Sequence, residues 1–125
     1  MRLNHLNITV ADLDRATEFY RRWFGFGRVL AEYEDGTRFI TDDTGFELGL
    51  HPSSEPTSGS SAWHFGFSAP SPEAVRELLS SLQGSAVPVV EQTDEPGFAG
   101  FKCRDPDGHL IEVYWEPRPD GSVGQ

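Results

Sequence analysis

Apolar residues recur at helical spacing in two stretches of the chain. From about Leu13 to Phe24, the positions Ala16, Phe19, Tyr20 and Trp23 fall on one side. Asp12 or Asp14 can cap the start of this helix, and Gly25 is a natural stop. From about Pro72 to Gln83, the buried stripe is Ala74, Val75, Leu78, Leu79 and Leu82. Ser71 is the expected N-cap, Pro72 suits the first helical position, and Gly84 is expected to end the helix.

The remaining apolar residues alternate with polar ones, which predicts short strands at about 3–10, 27–34, 37–41, 45–51, 62–68, 86–91, 98–104 and 109–115. Asp35-Gly36 is a hairpin turn signal, and Asp42 to Gly45 and Asp105 to Gly108 read as further turns. The two halves repeat. His5 opens HLNITVADLDRATEFYRRWFGF and His64 opens HFGFSAPSPEAVRELLSSLQG, each a strand, a capped helix and a glycine. TGFELGL and DGHLIEVYW match in turn as turn, glycine and a strand carrying a glutamate. The expected fold is therefore α+β, two βαβββ modules. Module one covers residues 1–52, a polar linker 53–61, module two 62–116, and a loosely ordered tail 117–125, with 1–116 forming one domain. A module this short has little room for a core of its own, so the two are expected to pair.

Sorting four of the strands by face separates core from chemistry. One face carries Leu6, Ile8 and Val10; Phe46, Leu48 and Leu50; Trp63, Phe65 and Phe67; Ile111, Val113 and Trp115. All are apolar, so this face is expected to pack on the helices. The opposite face carries His5, Glu47, His64 and Glu112, one per strand, among small and polar neighbours. Two imidazoles and two carboxylates suit a divalent ion such as Zn, Ni, Mn, Fe or Co, and the carboxylates balance its charge. A lone strand histidine is ordinarily a satisfied or half-exposed residue, and a lone strand glutamate is ordinarily solvated. The matched places in both halves raise a single shared site above four separate accidents. His51 either lines the pocket or faces water at a strand end. His109 alternates away from Glu112 and reads as structural. Tyr114, Phe98 and Phe101 read as packing or pocket walls, and the Asp105 to Gly108 carboxylates as local acceptors.

Composition narrows the function. Hydrophobic residues make up 37% and charged residues 24%, enough for a buried core. The net charge of −10 excludes a basic stripe for nucleic acid or anionic lipid, and it makes an anionic substrate require a local explanation. No apolar run is long enough to span a bilayer, and no secretory signal pattern opens the chain, so a soluble cytoplasmic protein is expected. The single cysteine, Cys103, excludes an intrachain disulfide and reads as a small core residue.

The segments HLNITVADLDRATEFYRRWFGF, WHFGFSAPS and RDPDGHLIEVYW, spread over about Leu3 to Glu116, resemble the vicinal-oxygen-chelate superfamily, also called glyoxalase/bleomycin resistance/dioxygenase. The resemblance implies a cup-shaped mixed sheet around one metal, held by His5, Glu47, His64 and Glu112. Glu47 matches the fourth ligand of glyoxalase I-like members, whereas dioxygenase and fosfomycin-modifying members use only the other three. It implies a lyase or isomerase of glyoxalase type, with Glu47 or Glu112 as general base and a small substrate chelating through vicinal oxygens. Alternatives are an extradiol-type dioxygenase and a non-enzymatic protein that sequesters a cationic drug, as bleomycin-resistance proteins do. A homodimer with modules paired across chains is implied as well. Glutathione-using relatives usually carry arginine where this chain has Thr9, and an asparagine near His51, which argues against a glutathione conjugate.

Overall fold

A computed structural model describes residues 1–60 and 62–117. The chain divides into two compact units, one running from Met1 to Ser58 and the other beginning at Gly59. The division falls inside the segment read as a linker. That segment is not featureless: Thr57 N–H donates to Thr9 Oγ1 at 2.8 Å, and Ser53 N–H donates to the Val10 carbonyl at 2.8 Å. The tail expected at 117–125 lies, apart from Pro117, outside the described residues. Among the described residues, no helix is long and apolar enough to cross a membrane.

Unit one runs β1 (His5–Val10), α1 (Leu13–Phe24), β2 (Arg28–Glu32), β3 (Arg38–Thr41), β4 (Glu47–Pro52). Unit two runs β5 (Phe65–Ser68), α2 (Pro72–Gly84), β6 (Val89–Glu95), β7 (Phe98–Arg104), β8 (Leu110–Trp115). Each is a βαβββ module, and each folds a four-stranded mixed sheet in the same order: β1-β4-β3-β2 and β5-β8-β7-β6. In both, the strand before the helix lies parallel to the last strand of its module, and the other neighbours are antiparallel. The outer strands β2 and β6 each carry a register shift, between Val29 and Ala31 and between Val89 and Glu91. Such irregularities blunt an open sheet edge.

The caps explain where the helices stop. Asp12 accepts from Arg15 N–H at the start of α1, and Gly25, at φ 76, closes its end by donating to the Tyr20 carbonyl. In unit one, Ile8, Val10, Ala16, Tyr20, Phe26, Ile40, Leu48 and Leu50 form the core. In unit two it is Val75, Leu82, Ala99, Phe101, Cys103, Ile111 and Val113. The apolar faces therefore meet the helices as the alternation implies, α1 against β4 and α2 against β7 and β8.

Four sequence expectations need correction. α2 runs one residue further than expected, with Gly84 its last residue and Ser85 the C-cap; Ser71 caps the start as expected, and the left-handed residue after the helix is Ala86, at φ 61. The strand expected at 86–91 instead spans Val89–Glu95, because the left-handed turn and Pro88 delay its start. The strand expected from residue 62 begins at Phe65, since Ala62 and Trp63 are used in the approach turn, where Trp63 N–H donates to the Ser60 carbonyl. Trp63 is consequently 54% exposed and not core, and Trp115 is only partly buried. An alanine in the left-handed region carries a steric cost of about 1–2 kcal/mol that glycine avoids. Glycine's larger entropy loss offsets part of this. Ala86→Gly is therefore expected to stabilise the protein by roughly 0.5–1 kcal/mol, read as a higher urea midpoint at unchanged slope.

Candidate metal-binding faces

In unit one, strand register does the positioning. His5 lies directly opposite Glu47, Asn7 opposite Gly49 and Thr9 opposite His51. Directly opposed residues of paired strands present their side chains on the same face. The intervening residues Ile8, Val10, Leu48 and Leu50 are buried on the other face. His5 Nδ1 lies 2.9 Å from Asn4 Oδ1, an amide oxygen that can only accept, so Nδ1 carries the hydrogen. Nε2 is left with its lone pair, the arrangement typical of a metal-ligating imidazole. Beyond Glu47, Thr41 is its partner on β3, but the Thr41 hydroxyl donates to the Phe46 carbonyl at 2.8 Å.

Unit two repeats the pairing with different spacing. His64 stands just before β5, and its Nε2 lies 3.2 Å from Glu112 Oε1 on β8. Its Nδ1 faces the Ala62 carbonyl, also at 3.2 Å, so each ring nitrogen faces an oxygen that can only accept. A cation shared by Nε2 and the carboxylate would replace that contact while Nδ1 donates to Ala62. Donor atoms each about 2.0–2.2 Å from one zinc-like ion sit about 3 Å apart. The His64 and Glu112 donors therefore fit a cation's coordination, and within each unit one imidazole and one carboxylate are the donor types that a divalent ion takes. Both members of the pair are partly exposed, at 31% and 27% of their side chains.

The structure thus brings His5 together with Glu47 and His64 together with Glu112, each pair inside its own unit. Within neither unit, among the described residues, do three His, Cys, Asp or Glu side chains gather as a metal cluster. Cys103 contributes no ligand: it is fully buried, and burial, with Asp105 nearby, pushes its thiol up to about 12. His51, one residue before the end of β4, has Nδ1 2.7 Å from Thr37 Oγ1 and 3.8 Å from Asp35 Oδ2. Backbone and side-chain hydrogen bonds from Thr37 hold the Asp35 carboxyl below its ordinary value, with His51 adding a smaller pull. His109 is buried, and its backbone N–H and that of Asp107 both donate to Asp105 Oδ1, which organises the turn before β8.

Both faces are also lined by an aromatic set against a glycine across the same pair of strands. Phe39 of β3 is opposite Gly49 of β4, and Tyr114 of β8 is opposite Gly100 of β7. A Cβ on Gly100 would meet the Phe98 ring at 2.9 Å, and one on Gly49 would meet the Phe39 ring at 3.0 Å. Phe98 and Tyr114 stack at 6.2 Å with an interplanar angle of 11°. Phe101, by contrast, is buried in the core. Sequence reasoning overlooked Lys102, which lies opposite Glu112 on this same face. The signal was available: the period-two sorting, applied to residues 98–104, puts Ala99, Phe101 and Cys103 inward and Gly100 and Lys102 with Glu112.

Comparison with known proteins agrees with this architecture. The profile of the Glyoxalase/Bleomycin resistance protein/Dioxygenase superfamily matches residues 2–113. A virulence protein of Salmonella typhimurium is 31% identical, over 90% of this chain and 82% of the relative. Glutathione transferase FosA of Serratia marcescens is 27% identical, over 90% of this chain and 79% of the relative. Among solved structures, a possible glyoxalase from Bacillus cereus superposes with a TM-score of 0.76 at 29% identity, covering 90% of this chain and 97% of that one.

Proposed function

This chain belongs to the Glyoxalase/Bleomycin resistance protein/Dioxygenase superfamily, and we propose that within it the protein is a metal-dependent lyase or isomerase of the glyoxalase type. Its substrate is a small molecule that offers two neighbouring oxygens. The observation that carries the reading is the repeated pairing: the same two-strand arrangement in each unit presents one imidazole and one carboxylate on the face away from the helices. Glu47 favours this type over the dioxygenase alternative, which has no use for a fourth ligand. The four ligand-type residues also speak against a purely drug-sequestering role.

His5, Glu47, His64 and Glu112 would hold the ion, which when bound supplies Lewis acidity to a substrate carbonyl. The remaining work belongs to the chain. The Asn4 amide oxygen sets the His5 tautomer, and the Ala62 carbonyl orients the His64 ring. Glu47 or Glu112 takes the proton from the carbon beside the carbonyl and returns it to the neighbour. The Phe98–Tyr114 stack gives the face an apolar wall against water. A homodimer with modules paired across chains belongs to the same reading.

Elemental analysis of protein purified without added metal tests it. Wild type should carry a first-row divalent ion, and His5→Ala and Glu112→Ala should each lose most of it, since changing only a hydrogen-bond partner of a metal ligand already costs about 10–100-fold in affinity. Undiminished metal in both variants would end the proposal.

A further inference from the structure

Unit two presents one group that neither ion holding nor proton transfer uses. Lys102 is the only lysine in a chain of net charge −10. It lies directly opposite Glu112 in the β7–β8 register, with Gly100 opposite Tyr114 one step along. Cβ atoms of such opposed residues stand about 4.5–5.5 Å apart on one face. The lysine therefore rises from the sheet beside the His64–Glu112 pair, not behind it. Its side chain is only 21% exposed, so the stem lies along the sheet.

Its ionic partner is a weak one. Nζ lies 3.5 Å from Glu91 Oε2 on β6, and that carboxylate is 62% exposed. A well-made ammonium–carboxylate hydrogen bond is about 2.7–2.9 Å long. Water competes for Glu91, and the ammonium has three hydrogens to give. Gly100 leaves the sheet beside the lysine without a side chain of its own, next to the Phe98–Tyr114 plate. Surface anions elsewhere repel an anionic ligand, so a cation on this face has a selective effect; Arg104, of the same parity on β7, has its guanidinium turned to the Gly108 carbonyl at 2.8 Å.

We propose that Lys102 binds a carboxylate on the substrate, and that the substrate class is therefore a small carboxylate that also carries neighbouring oxygens. The proposal rests on the metal-dependent reading given above. Lys102 acts as a specificity-determining residue: its ammonium lets go of Glu91 and takes the substrate anion while the vicinal oxygens lie at the His–Glu face. It moves no proton.

Two probes with one chelating head separate the claims. Acetohydroxamate carries the head alone, and succinic monohydroxamate adds a carboxylate two carbons away. Calorimetric titration of metal-loaded wild type should show the carboxylate probe binding about tenfold tighter or better, the worth of one hydrogen bond to a charged group. Lys102→Met, loaded to the same metal content, should bind the two probes equally, and Lys102→Arg should keep most of the preference. On wild type itself, the carboxylate probe should protect Lys102 from acetylation by acetic anhydride, read by peptide mass, and acetohydroxamate should not. No preference in wild type, a preference that survives in Lys102→Met, or equal protection by both probes would overturn the role of Lys102 while leaving metal chelation standing. Failure of metal-loaded wild type to bind either probe would overturn the metal reading, and the anchor with it.

Discussion

Glu47→Gln is expected to slow proton abstraction by about 10²–10⁴-fold, the usual contribution of a positioned general base, while His5, His64 and Glu112 retain the ion. Hydroxyacetone in heavy water is a sufficient probe, with loss of its proton signals followed by NMR. The two glutamates are distinguished by their surroundings. Glu112 is committed, with Oε1 3.2 Å from His64 Nε2 and a lysine across the strand pair. Glu47 has no such engagement in unit one: its partner on one side is His5, whose Nδ1 is turned to Asn4. On the other side Thr41 turns its hydroxyl to backbone carbonyls. A carboxylate without a neighbouring side-chain partner is free to turn toward the substrate proton. Glutamine keeps the size of the side chain and removes the charge that accepts a proton. Glu112→Gln should behave differently, losing exchange and ion together. The reverse outcome, with Glu47→Gln fully active and Glu112→Gln inactive but metal-replete, would assign the base to Glu112.

The architecture was legible wherever local chemistry and burial agreed. Asp12, the spacing of Ala16, Phe19 and Tyr20, and Gly25 specify a helix of Leu13–Phe24, and that is its observed extent. Period-two alternation located the inward faces of β1, β4 and β8, because one-sided burial forces odd and even positions apart. The pairing of His5 with Glu47 and of His64 with Glu112 follows from that alternation plus the internal repeat. Long-range register escaped the sequence. Trp63 continues an apolar alternation, but β5 is paired with β8 only from Phe65 onward, and an unpaired residue need not keep its face. Gly84 resembled a helix stop, yet the chain takes its left-handed turn at Ala86, after one more cap residue. Lys102 went unnoticed for a different reason: a single surface cation carries no pattern of its own, and its significance comes only from standing opposite Glu112.

Tyr20→Ala is expected to be the most destabilising single change, costing about 3–5 kcal/mol out of the roughly 5–15 kcal/mol typical of a native domain. Tyr20 has no exposed surface. Its ring meets Phe19 edge-on at 5.1 Å and Phe26 edge-on at 6.1 Å, with Phe24 at 6.0 Å. Deleting it opens a cavity among rings that are themselves anchored on one helix and its exit, so the walls have little freedom to collapse. Its carbonyl also receives the Gly25 and Phe26 N–H groups that close α1, so a cavity at this point loosens the helix end as well. Trp63→Ala provides the contrast. Both residues are large aromatics, and composition alone would rank tryptophan first. With 54% of its surface already in water, Trp63 should cost no more than about 0.5 kcal/mol. Urea unfolding followed by circular dichroism measures both. Equal midpoint shifts for the two variants would mean that the aromatic cluster on α1 is not the stabilising centre of unit one.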